Sequence, residues 1–337
     1  MTDPTAENRK KDHLALALNS QTDHILQDTR FYYEPLLAAH PKTNTLPVTF
    51  LGKQLNLPLW ISSMTGGTEK AGKINRNLAQ ACRDFGIGMG LGSCRGLLES
   101  DKHLEDFNLR PLIGSELPFF ANLGIAQVEK LMQNNEVQRI VDLVDRLQAD
   151  GLIIHINPLQ EWLQPEGDRF MKPPLETIRS FLPAITFPVI VKEVGQGMGP
   201  VSIKEILQLP IAAFDFGAYG GTNFSKLELL RSVQSRSDLY DQISYIGHTA
   251  EEMVGFVNDT VEELGDKVKC KEIIVSGGIK NFLDGYYCIR KLKLNSIYAQ
   301  GSAMLSHAQN SYDELRAYVQ SQADGLALSN SYLKIRI

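Results

Sequence analysis

Eight short apolar runs, each closing on glycine or a polar residue, recur along the 337-residue chain and constrain its fold more than any other feature. They are LPLWISSM (57–64), GIGMGLGS (86–93), LPFFANLG (117–124), GLIIHINP (151–158), FPVIVKEVG (187–195), AAFDFGAYGG (212–221), KEIIVSGG (271–278) and NSIYAQGS (295–302). Runs that are apolar throughout, and not alternately, suit strands buried on both faces, as in parallel sheets. Helical sequence is predicted between them. One helix runs near Lys70 to Asp84 and one from Gln127 to Gln148, where Val137, Ile140, Val141, Val144 and Leu147 follow a 3.6-residue period. A short helix covers Val201 to Leu209, and Ser225 to Lys271 is too long for one crossover helix and reads as two. Strand–helix units repeated eight times favour an α/β fold of the (β/α)8 TIM-barrel type over an open sheet.

Length alone suggests about two domains at roughly 150 residues each. No stretch is rich enough in Pro, Gly or Ser to mark a boundary, so one domain over 1–337 is predicted. Within it, 1–56 form an N-terminal arm, 57–305 the barrel core and 306–337 a C-terminal helix and tail.

Charge narrows the partners. Lys plus Arg number 34 against 39 Asp plus Glu, a net charge of -5, which argues against a broad nucleic-acid surface but leaves room for a local basic site. The polar start MTDPTAENRKKDHL does not read as a signal peptide, and no apolar stretch approaches the ~20 residues of a membrane span. Cys82, Cys94, Cys270 and Cys288 have no metal-ligand spacing and read as free thiols of a reducing compartment. The expectation is a soluble, cytoplasmic protein with no nucleic-acid or membrane partner.

In a barrel the chemistry comes from the C-terminal ends of the strands. Those ends carry Thr65, Ser93-Cys94-Arg95, Asn122, His155-Ile156-Asn157, Lys192-Glu193, Thr222, Gly277-Gly278 and Ala299-Gln300. SGGIK (276–280) and the loop after strand eight stand where such barrels often bind phosphate, through backbone N–H groups at a helix start. In HINPLQE (155–161), Glu161 could share a Mg2+ with phosphate oxygens or simply decorate a helix start, and His155 could act on a proton or be a satisfied core histidine. Lys192 closes an apolar strand, so it either pairs with a carboxylate such as Glu193 or faces an anionic ligand. Arg9, Lys10 and Lys11 form a basic cluster in the arm, where a solvated charge run is the simpler reading.

The set RKKDH (9–13), SSMTGG (62–67), GLGSCR (90–95), ANLG (121–124), HINPLQE (155–161), VKEVG (191–195), GAYGGTNF (217–224) and SGGIK (276–280) resembles the type II, FMN-dependent isopentenyl-diphosphate isomerase family. The resemblance runs in order over nearly the whole chain. It implies reversible conversion of isopentenyl diphosphate to dimethylallyl diphosphate in isoprenoid biosynthesis, with reduced FMN, Mg2+ and NADPH or NADH, in a homo-oligomer such as a tetramer or octamer. By motif match it implies that Arg9, Lys10, Ser93, Arg95, His155, Asn157 and Gln160 hold substrate, and that Glu161 carries the metal. Ser63, Met64, Thr65, Ser93, Asn122, Lys192, Thr222, Gly278, Ile279, Lys280, Ala299 and Gln300 would line FMN. His155, Gln160 and Lys192 are the implied catalytic side chains. Three positions depart from the family's pattern: Phe224 replaces a tryptophan, Lys280 replaces an arginine and its bidentate fork, and Ala299-Gln300-Gly301 is an unusual last phosphate loop. Two other readings stand beside it: a redox FMN barrel acting on a 2-hydroxy acid or dihydroorotate-like substrate, and a non-catalytic barrel that binds a phosphorylated ligand.

Overall fold

The computed structural model describes residues 5–63, 65–232 and 239–336. Twelve strands occur among them: β1 (Phe31–Tyr33), β2 (Val48–Phe50), β3 (Lys53–Leu55), β4 (Leu59–Ile61), β5 (Gly88–Gly90), β6 (Phe119–Gly124), β7 (Gly151–Ile156), β8 (Val189–Glu193), β9 (Ala213–Asp215), β10 (Glu272–Val275), β11 (Asn295–Gln300) and β12 (Leu333–Ile335). Strands β4 to β11 close into one parallel barrel in chain order, with β11 pairing β4. All eight apolar runs therefore lie in the barrel, and each strand is shorter than its run. The residues past each strand end leave the ladder and turn into the loops that carry polar groups.

Burial explains why the runs are continuous. Every residue of β4, β6 and β8 is buried, and Trp60, Phe119, Phe120, Phe214, Phe216 and Tyr298 are among the largest fully enclosed side chains. The helix Glu69–Phe85 shows the complementary pattern, burying Ala71, Ile74, Leu78 and Cys82 at spacings of three and four. Thr68 opens it by accepting the Ala71 N–H, and Gly86 closes it with φ 63°. The helical stretch expected over Gln127–Gln148 is two helices, Ile125–Gln133 and Gln138–Arg146. The break falls at Asn134-Asn135, where Asn135 takes φ 59° and the Glu136 N–H caps back to the Leu131 carbonyl at 2.7 Å. Between β9 and β10 the described helices are Phe224–Arg231 and Ala250–Leu264, the second opened by a reciprocal Thr249/Glu252 capping box.

The arm has two roles. Its hairpin β2–β3 plugs the N-terminal end of the barrel with fully buried Phe50 and Leu55. There Lys53 Nζ reaches Asp150 at 2.6 Å, and the Leu51 N–H donates to Glu272 at 2.8 Å. The barrel is thus open only at the opposite end. Strand β1 pairs antiparallel with β12, so the expected C-terminal tail is a strand that joins the arm. No helix among the described residues is long and apolar enough to cross a membrane.

Candidate active site

A cavity of about 540 Å3 opens at the C-terminal ends of the strands. Two of its lining residues, His155 and Lys192, belong to a row of polar side chains in one register whose third member, Asp215, lies enclosed behind them. His155 on β7 sits opposite Lys192 on β8, which sits opposite Asp215 on β9. Neighbours in register point to the same side of a sheet, here the barrel interior.

Each member of the row has a defined state. Asn122 donates its amide N–H to the Leu91 carbonyl at 2.9 Å, which turns its Oδ1 toward the His155 ring. The His155 Nδ1, 2.8 Å from that oxygen, is therefore the protonated nitrogen. Burial, and then the charge of Lys192, lower the His155 pKa to about 4, so the imidazole is neutral at pH 7. It can position a ligand but cannot offer it a positive charge.

Lys192 Nζ donates to the Glu193 carbonyl at 2.7 Å and lies 4.0 Å from the Asp215 carboxylate. The Glu193 carboxylate is not its partner. It accepts the N–H groups of Gly195, Gln196 and Gly197 at 2.7, 2.6 and 2.9 Å, and so shapes the loop that edges the cavity. Asp215 is fully enclosed. It accepts the Ser276 hydroxyl on Oδ1, its Oδ2 has no hydrogen-bond partner, and burial pushes its pKa up.

The loops after β10 and β11 form a glycine cradle. Gly277 and Gly278 hold φ 84° and 72°, and a Cβ on Gly277 would lie 2.0 Å from the Ala218 carbonyl oxygen. Only glycine satisfies both the left-handed backbone and that approach. Strand eight of a closed eight-stranded barrel lies across the mouth from strand four, so the cradle faces the segment after β7.

That segment is the helix Pro158–Leu163. Asn157 Nδ2 donates to Gln160 Oε1 and to Glu161 Oε1, both at 3.1 Å, and draws the two oxygens together. The second carboxylate oxygen of Glu161 accepts the Asp168 N–H at 2.7 Å. Glu161 is therefore tied to a later loop and is not a helix-start decoration. Asp168 in turn accepts Gln127 Nε2 at 3.0 Å and Arg95 Nη1 at 2.9 Å.

The sequence-predicted residues sort into three groups. Ser63, Ser93, Asn122, His155, Gln160 and Lys192 line the cavity, as do Thr222, Gly278, Ile279, Lys280, Ala299 and Gln300. Arg95, Asn157 and Glu161 stand behind that lining, joined to it through Asp168 and Gln160. Thr65 does not line it, and packs its backbone where a Cβ on Gly92 would sit. Arg9 and Lys10 lie on the exposed helix Ala6–Leu16 and are not brought to the cavity. Met64 lies outside the described residues. Sequence reasoning missed Gln127 and Asp168, because PEGDR (165–169) reads as an ordinary polar turn. It also missed Asp215, whose place under Lys192 is a cross-strand relation.

The donor sets agree with the groups the resemblance implies. The Ser63 hydroxyl is buried with no hydrogen-bond partner on a residue that lines the cavity, and Gly277 and Gly278 bring bare backbone to that lining. Glu161 and Gln160 offer hard oxygen donors at one point, which suits Mg2+ shared with phosphate oxygens. Among the described residues no cluster of three or more His, Cys, Asp or Glu could hold a metal by itself.

A parallel eight-stranded barrel with a glycine-rich loop on one side of its mouth and a carboxylate–amide cluster on the other defines an α/β-barrel enzyme. No family model matches the chain. An isopentenyl-diphosphate delta-isomerase from Rickettsia peacockii (strain Rustic) is 35% identical over 292 residues, covering 84% of this chain and 81% of its own. One from Rickettsia felis is also 35% identical, covering 84% and 80%. The chain belongs to the isopentenyl-diphosphate delta-isomerase family. Among solved structures, a mandelate oxidase variant with a monooxide FMN adduct superposes with a TM-score of 0.57 at 15% identity, covering 91% of this chain and 88% of that one. A flavocytochrome b2 variant with sulfite bound gives 0.60 at 12%, covering 89% and 71%. These likenesses show a shared fold.

Proposed function

We propose that the chain is an FMN-dependent isopentenyl-diphosphate delta-isomerase, acting in isoprenoid biosynthesis with Mg2+ and with NADPH or NADH as reductant. What supports this reading is one cavity lined by Gly277, Gly278 and Gln300 on one side and by Gln160 on the other, with Glu161 joined to Gln160 through Asn157 just behind it. A flavin phosphate fits the first side and a substrate diphosphate the second.

The reaction adds a proton to the terminal alkene carbon and removes one from the methylene beyond the substituted carbon. Atoms and electrons balance without net oxidation. Protonating an unactivated alkene builds positive charge on carbon, which favours an electron-rich surface in a water-poor pocket. The side chains at the floor do not supply a strong acid. His155 is neutral with Nδ1 engaged by Asn122, and Lys192 is engaged by the Glu193 carbonyl. Bound and reduced, FMN supplies at N5 a group that gives and takes a proton.

The chain's own residues then bind and aim. Ser63, Ser93, Asn122, Thr222 and the loops Gly278–Lys280 and Ala299–Gln300 would hold the flavin with Met64, Thr65 would support them through its backbone against Gly92, and Lys192 would turn its side chain toward it. Glu161 holds Mg2+ with Gln160 beside it. Ser93 and His155 position the substrate from the lining, Arg95 and Asn157 support them from behind, and Arg9 and Lys10 add charge for the diphosphate when the arm orders on substrate binding. The unit is read as one FMN-binding barrel domain, cytoplasmic and homo-oligomeric, as a tetramer or octamer.

The test is reconstitution. Purified protein given FMN should turn yellow and, with NADPH and Mg2+, interconvert the two diphosphates. Substituting 5-deazaFMN should preserve binding and remove turnover, and Glu161→Gln should blunt the response to Mg2+. Protein that takes up no FMN would overturn the reading, and net oxidation of a 2-hydroxy acid would favour the redox barrel.

A further inference from the structure

Within the cradle, the loop Gly277–Lys280 is pinned by side chains from elsewhere in the chain. The Ile279 carbonyl accepts Gln300 Nε2 at 3.3 Å, and the Lys280 N–H donates to Asp284 Oδ2 at 3.1 Å. Neither pin ends there. Gln300 is 3% exposed, and its Oε1 accepts the Tyr318 hydroxyl at 2.9 Å. Tyr318 lies on the long C-terminal helix Tyr312–Tyr332 and stacks on His307 with ring centres 4.4 Å apart. Asp284 Oδ1 accepts Arg30 Nη1 at 2.9 Å, and Arg30 also grips Asp28 at 2.7 Å. Arg30 directly precedes β1, which pairs with β12 at the end of that same C-terminal helix. Both ends of the chain therefore reach the cradle.

Chemistry gives each pin a purpose. An amide has one donor end and one acceptor end, and a tyrosine hydroxyl donating to Gln300 Oε1 leaves only Nε2 to face Ile279. Without Tyr318 that orientation rests on the Ile279 carbonyl alone, and Gln300 Oε1 loses the hydroxyl that Tyr318 donates. The Asp284 carboxylate fixes the Lys280 N–H but would repel an anion nearby, and the Arg30 guanidinium offsets that charge through one Nη1 bond at 2.9 Å, its Nε and Nη2 being held by Asp28.

We propose that Tyr318 and Arg30 are positioning residues for the phosphate end of the flavin. They hold the cradle backbone in its anion-receiving form, so the grip on phosphate, and not the grip on the ring, depends on both chain termini. Gln300 then acts as a strut with both side-chain ends committed. The inference rests on the FMN reading above.

The experiment measures dissociation constants of FMN and of riboflavin, which lacks the phosphate, on full-length apoprotein by flavin fluorescence quenching. Tyr318→Phe should weaken FMN about fivefold, as for one neutral hydrogen bond. Arg30→Met should weaken it about tenfold, as for a charged one. Riboflavin affinity should stay level in both, so the preference for FMN falls. Gln300→Met should reproduce Tyr318→Phe, and combining the two should add nothing. Because both flavins sample the same folded fraction, a loss of stability lowers both affinities together and leaves the preference unchanged. An unchanged preference in Tyr318→Phe and Arg30→Met overturns the inference alone. A wild-type protein that does not prefer FMN over riboflavin overturns the FMN reading with it.

Discussion

At the residue scale, the site turns on which of two basic side chains carries charge. Lys192 and His155 share a register row, and burial plus the neighbouring ammonium leave the histidine neutral. The sign of the pH effect follows. With a folded pKa of about 4 against the ordinary 6.5, the unfolded chain binds more protons between those values. Stability from this group is complete above about pH 6.5 and is lost as pH falls toward 4, up to about 3 kcal/mol. Asp215 and Glu193, whose pKa values are raised by burial, act in the opposite sense and cancel in a comparison of variants. Urea midpoints of the wild type and His155→Gln should therefore diverge between pH 7 and pH 4.5, the wild type losing stability relative to the variant as pH falls. Parallel pH profiles would remove the neutral-imidazole assignment. The residue types at the strand ends were legible in the sequence because a lysine or histidine closing an apolar run is costly unless used. The protonation state of His155 was not, because it depends on burial and on Lys192, 37 positions away.

At the element scale, the eight strands were legible because burial on both faces erases alternation. Their ends were not, since a ladder stops where partner strands stop and not where apolar residues do. The AAFDFGAYGG run shows this: only Ala213–Asp215 pair as strand, and the rest becomes site loop. The Gln127–Gln148 helix was read as continuous because periodicity resumes after the break, while Asn134-Asn135 carried the turn signal. The cradle gives this scale its prediction. Gly277→Ala places a methyl against the Ala218 carbonyl at φ 84° and should destabilise the fold by at least about 2 kcal/mol. A urea midpoint within error of wild type would show that the loop relaxes freely.

At the scale of the whole molecule, the arm divides at about Arg30. Residues 7–29 are exposed throughout, whereas the segment from Phe31 onward pairs with β12 and plugs the barrel base. Deleting residues 1–20 should leave the unfolding free energy within about 0.5 kcal/mol of wild type, since residues 7–20 are exposed. Under the proposed function the same deletion removes Arg9 and Lys10 and should raise the KM for isopentenyl diphosphate. Equal KM values for the two proteins would take the arm out of substrate binding.

The sequence by itself determined the barrel, its order of strands, and the chemical types gathered at its mouth, because local periodicity and strand-end residues are properties of short stretches. Only the tertiary structure decided that Arg95 meets Asp168, that Asp215 underlies Lys192, and that Tyr318 and Arg30 brace the cradle. The Arg30–Asp284 pair spans 254 positions, and such contacts exist only once barrel closure brings distant segments together. Chain spacing sets the period of an element; closure sets who its neighbours are.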